Sequence, residues 1–256
     1  MAMIRIGALI SGSGTNLAAV IKSCAEGRIN GRVVFAGADT PTATGLAKAE
    51  VAGIPTFVVD YRRIIRQYRA DPDSLELPGD FDLDHAAAQT ELFDGQASGR
   101  QVRDFLKTRA AAEAALLEQM AKLPFDLLIL AGFMRTLTPY FIDRVNTDPD
   151  HPRIMNIHPA LLPAFPGVDG YGDTWRYGCK VGGCTVHFID YGEDTGPIIG
   201  QKAFAITSRD TLATIREKGL AREWALYPEC IQWFAEGRLA SENRDGRRVI
   251  TVRPEK

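Results

Sequence analysis

The stretch Arg153-Ile154-Met155-Asn156-Ile157-His158-Pro159-Ala160-Leu161-Leu162-Pro163-Ala164-Phe165-Pro166-Gly167 decides how the rest of the chain is read. Its apolar run, Ile154, Met155 and Ile157, suits a strand, whose period of two puts Asn156 and His158 on one side. Pro159 ends the ladder, because it has no N–H to donate and restricts the residue before it. An amide and an imidazole therefore point together out of a strand that cannot continue. In open α/β sheets, ligands bind outside the carboxyl ends of the strands. A plainer reading has both side chains satisfying backbone groups in a turn.

Upstream, Ile4 to Ile10 is an apolar run followed by Ser11-Gly12-Ser13-Gly14-Thr15-Asn16-Leu17, after which Leu17, Val20, Ile21 and Cys24 recur at helical spacing. This is strand, glycine loop, helix. Glycines let a ligand approach the backbone, and the first N–H groups of a helix favour an anion. A dinucleotide fingerprint needs a third glycine where Leu17 stands, so that motif fails. Gly14, Thr15 and Asn16 are candidate phosphate-binding residues, or Thr15 and Asn16 simply cap the helix. Val33 to Ala38 predicts a second strand, Thr44 to Ala52 a helix closed by Gly53, and Ile54 to Val59 a third strand. Asp39 is read as a loop or cap residue.

The alternation breaks over residues 61–99. Arg62, Arg63, Arg66 and Arg69 mark a solvated helix face, and no Lys or Arg follows until Arg100. Between them stand Asp71, Asp73, Glu76, Asp80, Asp82, Asp84, Glu91 and Asp94. Asp80, Asp82, Asp84 and Glu91 imitate a calcium loop, but His85 occupies the position that needs glycine. Helical character over Ala86 to Phe93 instead lets the acids stabilise a helix N-terminus. Val102 to Met120 then reads as a long amphipathic helix with Phe105, Leu106, Leu116 and Leu117 as core candidates, and the apolar run of Asp126 to Pro139 as a buried parallel strand.

Taken whole, 153–167 resembles the Asn-x-His-Pro segment of the folate-dependent formyltransferases. The loop Ser11–Leu17 is similar to that family's ribose-phosphate loop, and Leu130-Ala131-Gly132-Phe133-Met134-Arg135-Thr136-Leu137-Thr138-Pro139 to the segment bordering its pteridine. Gly183 to Asp190, running on to Asp194-Thr195-Gly196-Pro197, resembles its remaining motif. The resemblance implies a Rossmann-like doubly wound α/β sheet, mostly parallel, with helices on both faces. It implies formyl transfer from 10-formyltetrahydrofolate to the amine of 5-phosphoribosylglycinamide, direct and without required metal. Asn156, His158 and Asp194 would be catalytic. Met134, Arg135, Thr136, Leu137, Asp190, Tyr191, Gly192 and Glu193 would border the folate. Glu223, one turn before Tyr227-Pro228, would join Gly14, Thr15 and Asn16 on the amine substrate, or be one more helix charge. His187 is either a structural histidine or an active-site contact. After Gly167 the family shows a histidine two residues on, where this chain has Asp169.

With 256 residues, 45% hydrophobic and net charge −2, the composition suits a soluble α/β chain and offers no basic footprint for nucleic acid. No apolar run reaches membrane length, and the start enters a strand without a signal-peptide pattern, so a cytoplasmic protein with small-molecule partners is expected. The four cysteines show no zinc spacing and are expected to be free thiols. One domain is expected over 1–256. Residues 1–60 and 100–150 form its phosphate-binding half, 61–99 the acidic insertion, 151–237 the catalytic half and 238–256 a terminal β ribbon or tail. Ser208 to Gly237 predicts the last helix. The chain is expected as monomer or homodimer. Rival expectations are a formyltetrahydrofolate hydrolase, a tRNA formyltransferase, for which the added RNA-binding domain and basic patch are missing, and a non-catalytic nucleotide sensor.

Overall fold

The computed structural model describes residues 2–93 and 97–255, so Asp94 of the acidic run lies outside the described residues. Seven strands form one sheet in the order β3-β2-β1-β4-β5-β6-β7. They are β1 (Ile4–Ile10), β2 (Gly31–Ala38), β3 (Thr56–Val58), β4 (Leu127–Leu130), β5 (Ile154–His158), β6 (Val181–Phe188) and β7 (Ile198–Ala205). The first five run parallel, while β6 is antiparallel to both its neighbours. Helices cover both faces, which is why β1 and β4 are apolar almost throughout. One face packs under α1 (Thr15–Ala25), α2 (Leu46–Val51) and α8 (Leu212–Ala235), the other under α3 (Tyr61–Ala70), α5 (Gly99–Ala121) and α6 (Pro139–Val145). The doubly wound α/β sheet is as expected.

The strand order reverses between β1 and β4, and this switch point sets the site. The loops after β1, β4 and β5 all leave from carboxyl ends on that side, and a crevice opens between them. Gly14 stands at φ 63° at the mouth of α1, where a Cβ would fall 2.9 Å from the Cα of Gly45. Only glycine suits both the left-handed backbone and that close approach. On the far side, the buried Tyr227 hydroxyl donates to the carbonyls of Leu130 and Met155, tying α8 under the ends of β4 and β5.

Several boundaries differ from the sequence reading. The helix expected over Ala86 to Phe93 is α4 (Leu83–Gln89), because the Asp82 carboxylate accepts from His85 N and starts the helix three residues earlier. The α5 helix begins at Gly99 rather than Val102, behind a Ser98/Gln101 capping box. Asp39 stands in the loop after β2, as read, but it is 1% exposed and ion-paired with Arg135. The C-terminal stretch is a hairpin of β8 (Leu239–Arg244) and β9 (Arg247–Val252). Its turn residues Asp245 and Gly246 both take positive φ, as a two-residue hairpin demands.

The acidic insertion folds back rather than hanging free. Asp80 pairs with Arg144 at 2.6 Å and accepts from the Tyr140 hydroxyl, while Phe81 meets the Tyr140 ring edge-on. Asp80 and Asp82 are thus both engaged by protein groups. No cluster of three or more metal-ligating side chains occurs among the described residues. All four cysteines are free. Among the described residues no helix is long and apolar enough to cross a membrane.

Candidate active site

The crevice holds about 990 Å³ of empty space, its open mouth included. Asn16 reaches it from α1, Met134, Arg135, Thr136 and Leu137 from the loop after β4, and Asn156 and His158 from β5. Asp190, Gly192, Glu193 and Asp194 line it from the loop after β6, and Glu223 from α8. Gly14, Thr15 and Tyr191 do not line it. Gly14 packs on Gly45, Thr15 opens on the neighbouring surface beside Lys22, and Tyr191 turns its hydroxyl to Asp143 at 2.5 Å. Neither Thr15 nor Asn16 caps α1, whose N-cap Gly14 offers no side chain.

His158 is 3% exposed. Its Nδ1 lies 3.1 Å from Asp194 Oδ2, and its Nε2 lies 2.7 Å from the Phe165 carbonyl. Both ring nitrogens face acceptors, an arrangement that only imidazolium satisfies in full. Burial works against the charge, but the Asp194 hydrogen bond and field outweigh it and hold the His158 pKa above the ordinary histidine value. Asp194 answers in kind. Burial would raise its pKa, yet the His158 hydrogen bond and charge, with the Gly167 N–H, hold it well below the usual carboxylate range. Asp194 sits at φ 55°, which Asp tolerates better than most residues, and its Oδ2 also accepts from Gly167 N at 2.8 Å. The carboxylate is thereby clamped between two loops.

Antiparallel register sets His187 opposite Asn156 and Thr185 opposite His158. His187 is fully buried, with Nδ1 2.9 Å from the Phe188 carbonyl and Nε2 3.2 Å from Asn156 Nδ2. With Nδ1 donating to that carbonyl, Nε2 is left to accept from Asn156 Nδ2. The amide is then fixed through its nitrogen, with one N–H still to give. His187 also stands 3.5 Å from Asp194 Oδ1, behind both crevice residues rather than among those lining it.

The loop after β4 is held from below. Met134 N donates to Ser11 Oγ at 2.7 Å, and Arg135 is committed to Asp39. Thr138 gives both its N–H (2.8 Å) and its hydroxyl to Glu113, a fully buried acid on α5. Burial, only partly offset by those bonds, pushes the Glu113 carboxyl up to about 7. The crevice wall at 134–137 is therefore anchored at three points; the sequence reading had Met134 and Arg135 bordering the folate and named none of these bonds.

A second buried set lies at the other end of the crevice. Glu223 accepts from Asn16 Nδ2 at 2.6 Å and from the Tyr171 hydroxyl at 2.5 Å. Burial, then the Glu223 charge, push the Tyr171 hydroxyl far above the ordinary tyrosine range, so it remains a donor. Asp169 takes no part; it pairs with Arg176 at 2.9 Å and Arg216 at 3.2 Å on the surface.

Comparison with known proteins puts names beside this geometry. The formyl transferase family model matches residues 4–231. The phosphoribosylglycinamide formyltransferase of Bacillus subtilis is 32% identical over 90% of this chain and 94% of its own. That of Haemophilus influenzae is 30% identical over 93% and 90%. A crystal structure of glycinamide ribonucleotide transformylase 1 from Symbiobacterium toebii superposes with a TM-score of 0.73, at 37% identity, covering 98% of this chain and 95% of that one.

Proposed function

Because the chain belongs to the formyl transferase family, we propose that it moves the formyl group of 10-formyltetrahydrofolate onto the amine of 5-phosphoribosylglycinamide, a transferase step of purine synthesis. The observation that carries this reading is one crevice shared by an amide, a charged imidazole–carboxylate pair and, at its far end, Asn16 and Glu223 beside the glycine loop.

The amine nitrogen attacks the formyl carbon, a C–N bond forms, and the carbonyl electron pair moves onto oxygen. Asn156 donates its free N–H to that oxygen, whose charge exists chiefly in the transition state. His158, held as imidazolium by Asp194, adds positive charge beside it. Collapse of the intermediate breaks the bond to the folate nitrogen, which takes the His158 Nε2 proton, and the proton lost by the amine then restores the imidazolium. In the free protein the His158 Nε2 proton faces the Phe165 carbonyl, so the ligand must take over that hydrogen bond. The folate lies along 134–137 and 190–193. The acceptor's phosphate sits over Ser11–Asn16, where the N–H groups opening α1 favour an anion.

The test is direct. Purified protein is given 10-formyltetrahydrofolate with and without phosphoribosylglycinamide, and folate absorbance is followed. Turnover that requires the acceptor supports transfer; equal turnover with water alone makes the protein a hydrolase.

A further inference from the structure

Tyr171 belongs to none of the motifs above. It lies in the first turn of α7 (Gly170–Arg176), in the segment where the chain departs from the formyltransferase pattern, yet it is only 6% exposed. Its hydroxyl meets Glu223 Oε1 at 2.5 Å. The helix facing it has made room: a Cβ on Gly219, one turn before Glu223 in α8, would fall 2.1 Å from the ring carbon Cζ of Tyr171. Glycine is a poor residue for the interior of a 24-residue helix, so its presence here goes with the ring it admits.

The other Glu223 oxygen accepts from Asn16 Nδ2, and that bond decides which way the Asn16 amide faces. Its Oδ1 is then buried with no hydrogen-bond partner. Asn16 is 7% exposed and lines the crevice, where a ligand that brings an N–H or O–H can satisfy this orphaned acceptor. We infer that Tyr171 is a positioning residue for the acceptor substrate: by locking Glu223 against Asn16, it presents Asn16 Oδ1 to an N–H of the amine-bearing ligand. The inference rests on the acceptor reading given above. It adds that acceptor recognition runs through a tyrosine outside the crevice.

The test uses the full chain and steady-state formyl transfer, with calorimetry of each ligand. Tyr171→Phe keeps the ring and removes the bond to Glu223; hydrogen bonds to charged groups are worth roughly tenfold or more in an equilibrium. The KM and Kd for phosphoribosylglycinamide should rise about tenfold, while the KM and Kd for the formyl folate stay within twofold. Gly219→Ala keeps the hydroxyl but pushes the ring aside, and should give the same acceptor-specific defect should Tyr171→Phe not fold. The double variant should be little worse than either single one, because both break one contact. Unchanged acceptor affinity in folded single variants overturns the inference, as does an equal loss for both ligands, which is what a merely structural role predicts. Wild-type protein without acceptor-dependent transfer would overturn the function itself, and so stands apart from either result.

Discussion

Asp194 Oδ2 lies 3.1 Å from Nδ1 of His158, while the opposite nitrogen of the ring faces the Phe165 carbonyl at 2.7 Å. The pair makes imidazolium the stable form of His158, and its pKa is raised accordingly. Transfer that uses the charged ring should persist from mildly acid pH upward and fall as pH rises through that raised value. Asp194→Asn keeps the shape and removes the charge, so the alkaline limb of kcat should move to lower pH and kcat should fall at neutral pH. The His158 ring protons in NMR titration give the same shift independently. An Asp194→Asn enzyme with the wild-type limb would remove Asp194 from the electrostatics.

Asn156 and His158 are proposed to serve one developing oxyanion, which makes their losses non-additive. Asn156→Ala should lower kcat by about 10²–10³ with little change in KM, as removal of an oxyanion donor does. The Asn156→Ala, His158→Ala double variant should be little worse than the poorer single one. His187 enters by holding the Asn156 amide, so His187→Gln, whose amide can still accept, should cost less than His187→Ala. Single-turnover rates with circular dichroism decide it, and fully additive losses would break the unit apart.

How much of this was legible follows from distance along the chain. The Arg153–Gly167 stretch carries strand alternation, a proline stop and two polar side chains in sequence order, so both the fold class and part of the crevice could be read from it. Asp39 and Arg135 stand 96 positions apart, and no local pattern joins them. His187 faces Asn156 because of an antiparallel register, and alternation along one strand does not say what lies across from it. Tyr171 reaches Glu223 across 52 positions, and the only sign was a glycine inside a helix. The C-terminal hairpin did carry a local signal, the Asp245-Gly246 dipeptide.

The acidic insertion touches the crevice at one remove. Glu91 N donates to the Tyr191 carbonyl at 3.0 Å, Tyr191 holds Asp143, and Asp80 holds Arg144 on the same helix. Replacing residues 71–95 by a short linker should therefore leave transfer measurable, since none of the described residues lining the crevice is removed. The KM for the formyl folate should rise severalfold as the 190–193 wall loosens, with the acceptor KM unchanged. A folded deletion variant without any transfer would mean that the insertion itself reaches the ligands.

The glycine loop needs a gentler probe than Gly14, where any side chain meets the Gly45 backbone and a positive φ. Gly12 has open space around a new Cβ, so Gly12→Asp adds charge without a clash. A carboxylate roughly 6 Å from a phosphate costs about 3 kcal/mol per unit of charge at an effective dielectric of about 20. The acceptor KM should rise at least tenfold and folate binding should hold. Loss of folate binding instead would assign the loop to the other ligand.

Glu113 gives a stability prediction of opposite sense to most acids. Its carboxyl is raised from 4.5 to about 7 by burial, so the folded state holds a proton that the unfolded chain releases. Folding stability is then fully present below about pH 4.5 and is lost progressively as pH rises toward 7. The shift corresponds to a contribution on the order of 3 kcal/mol. Glu113→Gln cannot titrate, and its amide can still accept from Thr138 N while the Thr138 hydroxyl turns to accept from it. The variant should lose this pH dependence and match or exceed the wild type near neutral pH in urea-unfolding midpoints. Because Thr138 closes the 134–137 wall, its KM for the formyl folate should also stay flat across the same range. A variant whose stability falls between pH 4.5 and 7 as steeply as the wild type's would place the titrating group elsewhere.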